Sequence, residues 1–107
     1  MGEREYLRII SSDSRIRVSF VVEKGKVKTF VTQYELLVKK KWYPVIRYDT
    51  AHSFVHIDVI NPDGTKVKKE LHFINYNEAL TYSILDLNTN WGKYKKQFVR
   101  RFNNEKK

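Results

Sequence analysis

The sequence contains no cysteine, and this absence removes three kinds of chemistry at once. Without thiols the chain can form no disulfide bond, no thiolate nucleophile and no cysteine-based metal site. Long hydrophobic runs are missing too, since stretches such as Leu36-Leu37-Val38 fall far short of the roughly 20 apolar residues of a membrane-spanning helix. No apolar segment follows Met1-Gly2-Glu3-Arg4-Glu5. We therefore expect no signal peptide, no membrane partner and a cytoplasmic protein.

Catalytic and cofactor-binding motifs are equally scarce. The sequence has no glycine-rich phosphate loop, no nucleophile elbow and no metal-ligand spacing of high specificity. We therefore predict no metal and no cofactor.

The residues that are present predict one α+β domain over residues 1–107. A chain of 107 residues has room for one core, and its 41% hydrophobic content is enough to build it. The apolar and polar residues first alternate with the period of a strand and then, after Asn75, recur with the period of a helix. We expect an antiparallel sheet of about five strands packed on one long C-terminal helix. The predicted strands are residues 15–24, 27–39, 42–50, 53–60 and 65–73.

Two hairpins can be given a register. A three-residue loop at Lys24-Gly25-Lys26 pairs Phe20 with Phe30 and Arg15 with Glu35. Whether this second strand presents Phe30 or Val31 to the core stays open, because a slip of one residue exchanges the faces. The other hairpin turns at 61–64, which reads as a type I turn. Its predicted pairs are Val59 with Val67, Val55 with Leu71, Asp58 with Lys68 and His56 with Glu70.

The C-terminal helix carries one apolar stripe. Its members are spaced by three or four residues, as a buried helix face requires. They are Leu80, Ile84, Leu87, Trp91, Tyr94, Phe98 and Phe102. Asn75 or Asn77 can cap the helix N-terminus. We expect this stripe, Trp91 included, to pack on the sheet.

The charge is strongly positive and unevenly placed. The net charge is +9, and seven of the 21 basic residues lie in the last fifteen positions, where Glu105 is the only acidic residue. Such a segment favours a polyanionic partner, with nucleic acid ahead of a membrane surface. The alternative is a solvated helix end, where cations also favour the helix dipole. The candidate phosphate contacts are Lys93, Lys95, Lys96, Arg100 and Arg101.

A second group of polar residues points away from the helix-covered side. His52 and His56 could act as proton donor and acceptor, with Arg47 holding a phosphate and Asp58 beside His56, as metal-independent RNA cleavage requires. On a regular strand His52 and His56 are about 13 Å apart, too far to flank one phosphate unless the strand breaks near Ser53. The alternative is a wet sheet face that carries these residues because it meets solvent.

A stretch in the second half of the chain resembles a known family. The segment 47–58, the Pro62-Asp63-Gly64 turn, the segment 76–80, Asp86-Leu87 and Asn90-Trp91 are similar to a family of small uncharacterised prokaryotic proteins sometimes grouped with toxin–antitoxin systems. The resemblance implies a nucleic-acid target and assigns no catalytic residue.

Three hypotheses follow from these observations. The first is an accessory protein that binds RNA or DNA through the basic end of its helix, where Lys41-Trp42-Tyr43 and Tyr94-Lys95-Lys96 could also stack bases. The second is a metal-independent, ribonuclease-like toxin that uses His52 or His56. The third is a module whose open sheet face or edge strand binds a neighbouring protein or a second copy of itself.

Overall fold

The computed structural model describes residues 2–105, apart from the side chain of His52. The elements are β1 (Gly2–Ser11), β2 (Ser14–Glu23), β3 (Lys26–Val38), β4 (Lys41–Asp49), a 3₁₀ turn (Ala51–Ser53), β5 (Val55–Ile60), β6 (Lys66–Leu71) and α1 (Tyr76–Glu105). All neighbouring strands are antiparallel, and their order in the sheet follows the chain from β1 to β6. The predicted α+β architecture is confirmed, with six strands instead of about five.

The additional strand is β1, which the hydrophobic pattern does not reveal. Its residues 2–8 have no regular alternation of apolar and polar side chains, and most of the strand is exposed. β1 is an edge strand that pairs only with β2 in this part of the chain. Without a buried face, an edge strand leaves no period in its sequence.

Both predicted registers are correct, although the first turn differs from the prediction. Phe20 lies opposite Phe30 and Arg15 opposite Glu35, and Phe30 is the residue that enters the core. The turn itself has two residues, Lys24 and Gly25, both with positive φ, and a bulge in the following ladder restores the predicted pairing.

The hairpin between β5 and β6 has the predicted pairs throughout. Val59 lies opposite Val67, and the turn is closed by the Gly64 N–H, which donates to Asn61 O at 2.9 Å. β5 begins at Val55 rather than near residue 53, because the chain forms the 3₁₀ turn Ala51–Ser53 and Ser53 has a φ of 71°.

Helix α1 lies across β3 and also contacts β4 and β2, so one face of the sheet forms the core. Leu87 and Phe98 are fully buried, whereas Ile84 and Trp91 are half-buried. The core is completed by Ile16, Val18, Phe30, Tyr34, Leu36, Val45, Ile46 and Tyr48. Pro44 lies beside a bulge between β3 and β4, a position in a sheet that proline tolerates.

Polar contacts cap the start of α1 and hold its first half against the sheet. Asn75 caps α1, since the N–H of Glu78 donates to its side-chain oxygen at 2.8 Å. Asn77 clamps the β2–β3 turn, accepting from Val27 N–H and donating to Gly25 O. Further along, the Tyr48 hydroxyl donates to Asp86 at 2.6 Å. These bonds join the helix to two different hairpins.

Candidate functional site

The face of the sheet opposite α1 carries a chain of hydrogen-bonded side chains across three strands. Arg47 donates to Asp49 at 2.9 Å and to Gln33 at 3.2 Å, and Gln33 donates to Glu35 at 2.6 Å. The chain continues to β2, because Arg15 Nε donates to Glu35 at 2.6 Å. Arg47 is thus where the sequence placed it, but its guanidinium is already paired with protein groups.

Glu35 is the centre of this network. Burial alone would raise the pKa of its carboxyl, but hydrogen bonds from Arg15, Gln33 and Arg17 outweigh burial and hold the pKa below its ordinary value. Arg15 also stacks on Trp42, with its guanidinium carbon 3.8 Å from the ring centroid. Glu35 is therefore a charged residue in a mostly enclosed position.

His56 and Asp58 share the open face with Arg47 but are not exposed there. Their relative exposures are 1% and 2%, so the expectation of a wet surface is wrong at these two positions. His56 Nε2 lies 2.8 Å from Ala51 O, and its ring meets Phe54 edge-on. The 3₁₀ turn and Phe54 thus cover the imidazole.

The other two histidines are His52 and His72. The strand does break next to Ser53, as sharing a phosphate would require, but the side chain of His52 lies outside the described part of the structure. His72 is exposed and lies 3.8 Å from Glu70. Asp58 has Lys66 as its ionic neighbour, at 3.7 Å. Of the residues predicted for RNA cleavage, Arg47, His56 and Asp58 therefore share one face, and His56 and Asp58 are buried there.

A cleft of about 620 Å³ does open on this face, beside Arg47 and Asp49. Glu3 and Glu5 of β1 line its other side, and Val21 and Val31 are among its lining residues. Burial would raise the pKa of Asp49, but hydrogen bonds from Arg47 and from the N–H of Ala51 lower it overall. The sequence reading missed this cleft because it did not recognise β1 as a strand.

The predicted phosphate contacts on α1 fall into two groups. Lys93, Lys96 and Arg100 are exposed, and their spacing places them on one side of the helix. Lys95 instead donates to Asp13 at 2.8 Å, and that hydrogen bond lowers the pKa of Asp13. Arg101 is half-buried and lines a small cavity with residues of the β5–β6 turn.

The fold adds three lysines to this end of the molecule. Lys39, Lys40 and Lys41 form the β3–β4 turn and the start of β4, and all three are exposed. Lys41 Nζ lies 4.8 Å from the ring centroid of Tyr43, and Tyr43 contacts Phe98 and Phe102 of α1. The turn therefore adjoins the C-terminal part of the helix. We refer to Lys39, Lys40, Lys41, Lys95, Lys96 and Arg100 as the basic end.

The aromatic residues next to the basic end already contact other groups of the protein. Trp42 is stacked by Arg15, Tyr43 packs on the helix, and the Tyr94 hydroxyl donates to Asp86. Each of these three side chains therefore has a partner within the protein. The aromatic rings beside the cations of the basic end are thus partly occupied by contacts within the protein.

The described part of residues 2–105 contains neither a metal-binding cluster nor a membrane-spanning helix. No cluster of three or more His, Asp or Glu side chains there could hold a metal ion. Within the same range, no helix combines the length and apolar character needed to cross a membrane.

Comparison with known proteins identifies the family. A domain of unknown function, DUF7718, matches residues 1–104, almost the whole chain. The chain belongs to the DUF7718 family. No curated protein and no solved structure matches it. The family description names no activity, so the relation to toxin–antitoxin proteins stays a prediction.

Proposed function

We propose that this DUF7718 protein binds nucleic acid through its basic end, as an accessory protein without catalytic chemistry of its own. The contacts are made to phosphates by Lys39, Lys40, Lys41, Lys96 and Arg100. Binding of this kind is governed by charge and shape and has little sequence preference.

The β3–β4 turn carries this proposal. Lys39 and Lys40 are its two central residues, with φ of 51° and 69°. A two-residue hairpin turn with both φ values positive favours Asn and Gly, because a Cβ is unfavourable in the left-handed region. Two lysines therefore occupy a turn for which they are poorly suited, and strain of this kind motivates a search for function. Their charge is the property that Asn-Gly would lack.

The β2–β3 turn supports this reading by contrast. It has the same two-residue geometry, but its second position is Gly25, with φ of 75°. The second position of that turn follows the local backbone preference, whereas Lys24 at its first position has φ of 51°, and the turn is additionally clamped by Asn77. Only the turn at the basic end departs from that preference at both positions.

The engaged aromatic rings define the kind of binding. Because Trp42, Tyr43 and Tyr94 are held by protein contacts, base stacking contributes little and phosphate contacts dominate. With about five contacts, log K for a single strand should fall against log salt with a slope of about −3 to −4. Fluorescence anisotropy of labelled RNA and DNA strands over a salt series measures this slope.

The variant Lys39→Asn/Lys40→Gly separates binding from folding. It removes two charges and installs the residues that the turn prefers, so the slope should become less negative by about 1.4 while stability is unchanged or raised. Lys96→Glu/Arg100→Glu tests the helix part of the same surface and should reduce binding further.

The matched control is Lys26→Glu/Lys28→Glu. Lys26 and Lys28 are exposed and lie at the start of β3, near the opposite end of the sheet. Their substitution changes the net charge by the same amount as the helix variant. The control should retain most of the binding. Equal losses in the control and the helix variant, or no salt-dependent binding by the unaltered protein, would overturn the proposal.

A further inference from the structure

The two edges of the sheet differ in how they are protected. Edge strands expose unpaired backbone groups, and proteins commonly guard them with lysine or proline. β6 has lysine at three of its six positions, whereas the ten-residue β1 has neither lysine nor proline. β1 instead exposes apolar side chains: Tyr6 and Leu7 are each 44% exposed, and Ile9 is 66% exposed.

The charge of β1 also sets it apart from the rest of the molecule. Two glutamates and two arginines make the strand neutral in a chain whose net charge is +9. Two copies of such a basic protein repel each other over most of their surfaces. Repulsion is smallest where a neutral edge meets a neutral edge, which favours a second copy as the partner of β1.

The sequence of β1 selects one antiparallel register with itself. A symmetric pair in one continuous sheet requires paired positions whose numbers sum to an even value, so that side chains stay on their own faces. Centring the pair on Tyr6 places Arg4 opposite Arg8, and centring it on Glu5 places Glu5 opposite itself. Centring it one position beyond Leu7 places Arg8 opposite itself.

Centring the pair on Leu7 avoids every direct contact of like charges. Leu7 then faces Leu7 of the second copy, Tyr6 faces Arg8, Glu5 faces Ile9 and Arg4 faces Ile10. Directly opposed like charges destabilise a strand pair, and an arginine over a tyrosine ring stabilises it. An irregularity in the β1–β2 ladder between Ile9 and Ser11 lies at the end of this segment.

We propose that β1 pairs antiparallel with β1 of a second copy, with Leu7 opposite Leu7, to form one continuous twelve-stranded sheet. The contact is a single strand ladder and is smaller than a standard interface, so the dimer should be weak and should form with rising protein concentration. This inference does not depend on nucleic-acid binding.

A single cysteine tests the register, because the chain has no cysteine of its own. Directly opposed residues of antiparallel strands have Cα atoms about 4.5 or 5.5 Å apart, within the range that a disulfide spans. Leu7→Cys should therefore form a disulfide-linked dimer rapidly under mild oxidation. Ile9→Cys on the same strand and Val67→Cys on β6 are the controls, and both positions are more exposed than Leu7.

Random collision would link the more exposed control cysteines at least as fast as Leu7→Cys, and that result would overturn the proposal. Leu7→Lys places two cations opposite each other and should shift the light-scattering mass from dimer towards monomer without lowering the melting temperature. A dimer that persists in Leu7→Lys, or a purely monomeric unaltered protein at high concentration, would also overturn it. Faster linkage at position 7 together with loss of the dimer in Leu7→Lys would support it.

Discussion

The two faces of the sheet are both enclosed near its centre, but different groups enclose them. On the helix side, Leu87 and Phe98 pack against Ile46 and other apolar residues. On the open side, the enclosed residues are Glu35, His56 and Asp58, whose polar groups meet arginine, lysine or backbone partners. The first arrangement gains stability by removing apolar surface from water, whereas the second must compensate the cost of burying charge. Mutations and pH should therefore affect the two faces differently.

The largest expected effect is on the helix side. Phe98→Ala should lower the free energy of unfolding by about 3–5 kcal/mol, because a fully buried ring leaves a cavity. Trp91→Ala should cost less, since Trp91 is half-buried. Denaturant titration gives both values. An equal or larger loss for Trp91→Ala would show that the packing centre lies elsewhere along the helix.

On the open side, Glu35→Gln should lower the free energy of unfolding by about 2–3 kcal/mol. The substitution keeps the size of the side chain but removes the charge of the carboxylate, which accepts hydrogen bonds from Arg15, Gln33 and Arg17. Denaturant titration at neutral pH measures the loss. An unchanged midpoint would mean that this network contributes nothing and that only the helix side stabilises the fold.

The same substitution predicts a pH dependence that the helix side lacks. The folded-state pKa of Glu35 is lowered from its ordinary value of 4.5, so the unfolded chain binds the proton first as the pH falls. The stability contributed by Glu35 is therefore present above about pH 4.5 and is lost as the pH falls through the folded-state pKa. The difference between the unaltered protein and Glu35→Gln should shrink over that window, whereas the effect of Phe98→Ala should persist. A difference in unfolding free energy between the unaltered protein and Glu35→Gln that stays constant down to acid pH would contradict this account.

The smallest effect should be found at the rim of the open face. Arg17 is 3.3 Å from Glu35 and 3.6 Å from Glu5, but it is partly exposed. Partly exposed ion pairs contribute little, so Arg17→Ala should cost about 0.5 kcal/mol. Arg15→Ala should cost more, because Arg15 bonds Glu35 at 2.6 Å and stacks on Trp42. Equal losses of stability in Arg17→Ala and Arg15→Ala would indicate that neither the burial of Arg15 nor its stacking on Trp42 stabilises the fold.

Much of the fold was predictable from local pattern. The β5–β6 pairs were correct because alternation, turn residues and cross-strand chemistry all agreed on one register. The helix stripe was correct in its face, although Trp91 is only half-buried. β1 was missed because a strand with little buried surface has no reason to alternate.

The candidate sites were harder to predict. The basic residues of the helix were visible in the sequence, but Lys39, Lys40 and Lys41 join them only because Tyr43 packs on Phe98 and Phe102. In the folded chain Lys95 donates a hydrogen bond to Asp13, which lies 82 positions away in the sequence. Lys95 is therefore less available for a phosphate contact. Which residues share a surface depends on long-range contacts, and the number and positions of charges in the sequence do not reveal those contacts.

The sequence by itself determined the α+β class, the pairing of β5 with β6 and the start of the helix, because each depends on a short-range period or on a cap within a few residues. Only the tertiary structure decided that His56 and Asp58 are buried on the face opposite the helix. Alternation assigns a side chain to a face, but burial depends on what covers that face. For His56 the cover comes from Phe54 and the 3₁₀ turn, whose path depends on how β4 and β5 pair.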